Sequence, residues 1–280
     1  MSFDRTNAAA KPWLFFGVGN VLFNEDPAFA HIYMMMYSTL QSRDESITFD
    51  RLLCERDELI KEGQIRPLKT LIEEYLTDEE NATMRLDFRN LLEEDWLKYN
   101  PLNPGVKESI KQLSESYHIG LIANSPAFLR AVLQDVGIMK YFKVAIISEE
   151  VGMHKPSKSI FMEALETAKE YCERHQELFL ADQCIMVGDS LEQDIAPSNE
   201  LGITSVLMAW DLNIKYEGSP LLANETFVTY LNHLKSYSSR RREPDNEFEH
   251  PQHQVCSMKD LVRLLKSGKI KKTQPANTRS

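Results

Sequence analysis

Four short stretches hold the residue types that could do chemistry. In "VGDSLEQDIAPSNELG", Asp189 and Asp194 stand five residues apart, across a turn that follows an apolar run and leads into a helix. Two carboxylates held by such a turn suit a hard cation such as Mg²⁺, which takes oxygen ligands. The same spacing also allows Asp189 to cap the helix and Asp194 to be a surface charge. In "SEEVGMHKPSKSIF", Lys155 precedes Pro156 shortly before a helix. An ammonium there can neutralise a phosphate or a carboxylate, or stay solvated in a loop. In "LIANSPAF", Asn124 and Ser125 open a helix. A helix start offers backbone N–H groups to an anion, and Asn or Ser also caps such a start. In "WLFFGVGNVLF", an apolar strand runs into a glycine turn, and Gly17 occupies the position where the strand stops. Turns of this kind often end in a reactive carboxylate. The stretch therefore reads as a phosphate-handling turn, an ordinary bend, or an enzyme site lacking its reactive group.

These residues need a scaffold that brings them to one edge. Five apolar runs, 13–16, 119–123, 144–148, 184–187 and 204–209, read as strands buried on both faces, and helical patterns separate most of them. Strands alternating with helices predict a parallel sheet covered by helices. Ligands in such sheets bind at the C-terminal strand ends, where all four stretches fall. Residues 26–99 break the alternation: Met84, Phe88, Leu91, Leu92 and Trp96 recur at helical spacing, and "NPLNPG" ends the run. A helical insert there is expected to sit over the strand ends as a lid. His31 and Met34–Met36 on its first helix read as packing residues. The stretch 211–256 is polar and irregular, and is expected to be a mobile loop. "SMKDLVRLLK" reads as a closing amphipathic helix, and residues 266–280 as a disordered tail.

Composition narrows the function classes. The 280 residues carry 32 Lys and Arg against 42 Asp and Glu, a net charge of −10, which speaks against nucleic-acid binding. Arg240, Arg241 and Arg242 lack interleaved aromatics and read as a solvated loop. The cysteines, Cys54, Cys172, Cys184 and Cys256, are far apart and form no C-x-x-C pair. That spacing predicts neither a sulfur-ligated metal nor a disulfide framework, and it fits reduced thiols in the cytoplasm. The N-terminus has no apolar h-region and no run is long enough to span a bilayer, so no membrane association is expected.

Taken in order, "GVGNVLF", the helical insert, "NPGVKESIKQL", "LIANS", "VGMHKPSKSIF" and "VGDSLEQDI" with "ELGITSV" resemble the haloacid dehalogenase-like hydrolase superfamily. The likeness is to its phosphatase branches with a C1-type helical cap. It covers about residues 11–210 and, more loosely, the closing helix. It implies a three-layer, Rossmann-like α/β core at 1–25 and 100–265, a cap at 26–99, and a polar insertion within the core at 211–256.

The resemblance also assigns roles by position. An Asp nucleophile is expected where Gly17 stands, and a second Asp, serving as acid and base, where Gly19 stands, although some members read "GNV" here. A Ser or Thr that holds the phosphoryl group is expected where Ala123 stands. Lys155 corresponds to the family lysine, and Asp189 and Asp194 to the acidic pair that organises Mg²⁺ together with the Gly19 carbonyl. Glycine offers no attacking oxygen. The leading expectation is a phosphatase-type scaffold without aspartyl-phosphate catalysis, which binds a small phosphorylated molecule or inorganic phosphate through Lys155, Asn124 and Ser125, with Mg²⁺ weakened or lost. The alternatives are a hydrolase that uses a water positioned by Asp189 and Lys155, or Ser125 as surrogate, and a partner-binding module working through the lid or the 211–256 stretch.

Overall fold

The computed structural model describes residues 10–238, 240, 242–268 and 270. Its strands form where aliphatic and aromatic residues predominate. β1 (Trp13–Phe16), β2 (His118–Ala123), β4 (Ile185–Gly188) and β5 (Thr204–Met208) are buried at every position, and β3 (Phe142–Ile147) at most. Burial on both faces is characteristic of parallel strands flanked by helices. With β6 (His253–Val255) they form one six-stranded parallel sheet in the order β3-β2-β1-β4-β5-β6. The register brings Phe16 beside Leu121 and Val187, and Ala123 beside Ile147.

Thirteen α-helices lie among the described residues. Between β1 and β2 run α1 (Asp26–Gln41), α2 (Phe49–Lys61), α3 (Pro67–Tyr75), α4 (Asp78–Glu94), α5 (Trp96–Tyr99) and α6 (Val106–Ser114). Then come α7 (Leu129–Asp135), α8 (Ser148–Val151), α9 (Lys158–Arg174) and α10 (Ala196–Glu200). After β5 follow α11 (Leu212–Tyr216), α12 (Glu225–Ser236) and α13 (Met258–Lys266). No helix among the described residues is long and apolar enough to cross a membrane.

The chain divides into two compact units. One comprises the chain up to Leu22, Asn103–Trp210 and the chain from Pro244 on; the other comprises Phe23–Leu102 and Asp211–Glu243. In the α/β unit, α9 lays Ile160, Phe161, Ala164 and Ala168 against Trp13, Phe15, Ile122 and Met186. Their spacing of three to four residues keeps them on one face of α9.

The stretch 211–256 departs from its expected place as an insertion within the core. Residues 211–243 belong to the helical unit, and only the remainder, with β6, joins the α/β unit. Tyr216, Phe227, Tyr230, Leu231 and Leu234 are buried in one cluster with Tyr33, Met36, Leu52 and Leu71. The polar average of the stretch hid this helical spacing. Asp26, at the start of α1, is fully buried: its Oδ2 accepts from Lys215 Nζ (2.7 Å) and Tyr216 OH (2.5 Å), and its Oδ1 from Arg240 Nη1 (2.8 Å). Arg240 is therefore half-buried in an ion cluster rather than solvated, while Arg241 lies outside the described residues. The packing reading of the first helix agrees with Met36, which is buried, and with His31, which lies 4.9 Å from the Tyr99 ring. Of the expected tail, 269 and 271–280 lie outside the described residues, and Lys266 ends α13.

Candidate functional site

The C-terminal ends of β1, β2 and β4, with the loop before α9, assemble the expected residues within the α/β unit. β1 ends at Phe16, and the Gly17 N–H donates to the Val187 carbonyl of β4 at 2.8 Å, which fixes the turn beside the neighbouring strand. A Cβ added at Gly17 would lie 3.6 Å from each of Lys155 Nζ, Val187 O and Val21 Cγ2. Those are ordinary van der Waals distances, so glycine here is not required by crowding. The position expected to carry a nucleophile faces an ammonium and presents no side-chain atom.

Lys155 is buried and ion-paired. Its Nζ donates to Asp194 Oδ1 at 2.6 Å, with only 7% and 2% of the two side chains exposed. Asp194 reaches it through a π-helical turn, Leu191–Ile195, in which the Ile195 N–H donates to the Ser190 carbonyl. Such single wide turns are frequent at functional sites. Here the turn folds the carboxylate back on its own start, so that Oδ2 accepts from the backbone N–H groups of Asp189 (3.1 Å) and Ser190 (3.2 Å). Gly188 makes that return possible, because a Cβ there would fall 2.1 Å from Asp194 Cβ.

Asn124 holds the other end of Lys155. Its Oδ1 accepts from the Lys155 N–H (2.8 Å) and its Nδ2 donates to the Lys155 carbonyl (2.9 Å), so one amide closes on both polar backbone groups of the lysine. Asn124 Nδ2 also reaches Gln193 Oε1 at 3.3 Å. Asn124, expected as a ligand contact, makes these bonds to the lysine and Gln193. Ser125 is buried, its N–H donating to Ser148 Oγ (3.0 Å) and its carbonyl accepting from the same hydroxyl (3.3 Å). Ala123 closes β2 in register with Ile147, two residues before Ser125. Gly19 lies half-buried in the loop after β1, and Asp189 half-buried after β4.

Of the residues expected to hold Mg²⁺, Asp189 and Gly19 bring a carboxylate and a carbonyl in the loops after β4 and β1, while Asp194 is engaged by the protein itself. The ion demands near-octahedral oxygen coordination. Gly17 offers no side-chain oxygen, and both oxygens of Asp194 are already taken by Lys155 and two backbone N–H groups. Asp194 acts in this arrangement as the anchor of the lysine. Sequence reasoning placed Lys155, Asp189 and Asp194 at one edge but missed the clamp of Asn124 and the passage opened by Gly188. The glycine was visible in "VGDS"; its partner five residues on was not identifiable without the π-helical turn.

Comparison with known proteins agrees with the sheet and its motifs. The haloacid dehalogenase-like hydrolase family matches residues 14–202. The pyrimidine 5'-nucleotidase YjjG of Escherichia coli is 34% identical over 103 residues, 36% of this chain and 42% of that protein. A phosphoglycolate phosphatase of Vibrio vulnificus is 30% identical over 152 residues, 54% of this chain and 61% of that protein. The chain thus spans about half the length of these relatives. Among solved structures, the HAD-hydrolase YfnB of Bacillus subtilis bound to magnesium superposes with a TM-score of 0.55 at 19% identity, covering 92% of this chain and 99% of that one. A predicted phosphoglycolate phosphatase of Haemophilus somnus superposes with a TM-score of 0.57 at 16% identity, covering 91% of this chain and 97% of that one. At those identities the two superpositions speak for the fold alone. With the family match extending over most of its length, the chain belongs to the haloacid dehalogenase-like hydrolases.

Proposed function

We propose that the chain is a binding or regulatory protein on a phosphatase-type scaffold, without aspartyl-phosphate catalysis, and that its ligand is a small phosphorylated molecule or inorganic phosphate. The observation that carries this reading is the turn at Gly17: a Cβ there would lie 3.6 Å from the Lys155 ammonium, and glycine supplies no oxygen to attack phosphorus. Displacement at phosphorus by the covalent route requires such a nucleophile, and removing one from a protease costs on the order of 10⁶-fold in turnover. A second support is Ala123, where no hydroxyl is available to a transferring group. Loss of resident Mg²⁺ is supported by the oxygens of Asp194 being spent on the protein's own donors. A cytoplasmic setting is supported by the four free cysteines.

The test is turnover of phosphate esters by the purified chain, with and without Mg²⁺, beside a Lys155→Ala control. Turnover no greater than that control is expected. Binding of inorganic phosphate by calorimetry should be present in the native chain and lost in the control. A covalent phospho-adduct trapped on the native polypeptide would overturn the reading.

A further inference from the structure

A second cluster of chemically competent side chains lies within the helical unit, on α2 and α12. Asp50, Cys54 and Asp57 recur at spacings of four and three on α2, which places them along one face of the helix. Opposite them stands His233 of α12, 183 residues from Asp50 in sequence. His233 Nδ1 is 2.6 Å from Asp57 Oδ2, His233 Nε2 is 3.1 Å from Asp50 Oδ1, and Cys54 Sγ is 3.9 Å from Asp50 Oδ2. A ligand atom from each of Asp50, Cys54 and His233 lies within 4.8 Å of the others.

We propose that Asp50, Cys54 and His233 form a site for a Zn²⁺-like transition-metal ion that ties α12 to α2. Imidazole, thiolate and carboxylate are all zinc ligands, and tetrahedral bonds of their usual lengths set neighbouring ligand atoms about 3.3–3.6 Å apart. The observed separations need only small rotamer changes to reach this. Asp57 supplies the support such histidines usually have. Buried and paired with Arg56, it accepts from Nδ1–H and so leaves the Nε2 lone pair directed toward Asp50. Asp50 and Cys54 are exposed, so an ion has access and solvent can complete the coordination. The ion would take Cys54 as the thiolate, its binding releasing the thiol proton to solvent.

Sequence spacing alone argued against a sulfur-ligated metal, because no cysteine or histidine follows Cys54 at a metal-site interval. The fold supplies the missing ligand from a distant segment.

The test is titration of the reduced, full-length chain with Co²⁺ alone, followed by Zn²⁺ competition. A thiolate-to-cobalt charge-transfer band with one equivalent bound is expected, and Zn²⁺ should bleach it. Cys54→Ser, an exposed and conservative change, should abolish the band, and His233→Ala should weaken binding at least about tenfold. Asp57→Asn should weaken it about 10–100-fold, the usual cost of losing an outer partner. No band in the native chain would mean that Asp50, Cys54 and His233 pack together without holding an ion, which overturns the proposal. A band that survives Cys54→Ser would assign the metal to His118, Cys172 and Glu177 in the α/β unit, and would overturn it equally.

Discussion

Replacing Gly17 by Asp is sterically open, since the added carbon meets its neighbours at 3.6 Å and one of them is an ammonium. The variant is expected to fold and, combined with Ala123→Ser, to gain Mg²⁺-dependent phosphate-ester turnover measurable against the native chain. Its melting temperature should rise with added Mg²⁺, because a further carboxylate beside Asp189 and Asp194 needs a counter-charge. The native chain should respond little. The ion pair behind this site makes its own prediction. Asp194→Asn leaves Lys155 as an unpaired buried charge and turns an amide toward two backbone N–H groups, so a loss of about 3–5 kcal/mol is expected. Lys155→Met leaves Asp194 with both of those donors and should cost less. Equal losses in denaturant titrations would show that the carboxylate does not anchor the lysine. Gly188→Ala should destabilise by about 1–3 kcal/mol through overpacking against Asp194. The sequence marked Gly17, Ala123, Lys155, Asp189 and Asp194 as candidates, but not Gly188. It could not show that the acidic residue expected to hold metal would hold the lysine, because that depends on the width of one helical turn.

At the scale of elements, five of the six strands were legible, for a physical reason. Strands buried on both faces are dominated by apolar residues, as in "WLFF" and "GLIA". β6 has three residues, "HQV", of which only Val255 is buried, and so left no such mark. The segment with α11 and α12 was missed because one apolar face is diluted by charges on the other. Its attachment to α1 predicts an acid response. Burial pushes the Asp26 carboxyl up, but Lys215 and Arg240 outweigh it and hold the group well below the usual carboxylate range. A depressed folded-state value contributes stability above the unfolded value of about 3.9, lost as the pH falls below it toward the folded value. Acid unfolding monitored by circular dichroism should therefore steepen below about pH 4 in the native chain. In Asp26→Asn, less stable at neutral pH because Lys215 and Arg240 lose their counter-charge, that steepening should be reduced.

For the molecule as a whole, the helical unit is built from two separated stretches of chain, Phe23–Leu102 and Asp211–Glu243. The second supplies Tyr216, Phe227, Tyr230, Leu231 and Leu234 to the core of the first. Deleting 211–243 is accordingly expected to expose an apolar surface and yield an aggregating or dye-binding protein, judged by light scattering and 1-anilinonaphthalene-8-sulfonate fluorescence. A well-behaved deletion protein would mean that the segment is the dispensable loop its composition suggests.

Where the first stretch begins and ends, the backbone runs as a narrow ribbon. The Asn103 N–H donates to the Leu22 carbonyl at 2.9 Å, Phe23 bridges Leu102 in antiparallel fashion, and the Asn24 N–H donates to the Pro101 carbonyl at 2.7 Å. The departing and returning chains thus lie side by side at a natural splice point. A protein engineer could excise Phe23–Leu102 there and rejoin the ends with a tight turn, at little cost in closure entropy. A second junction, from Trp210 to Pro244, would still be needed before the sheet could be produced free of its helices.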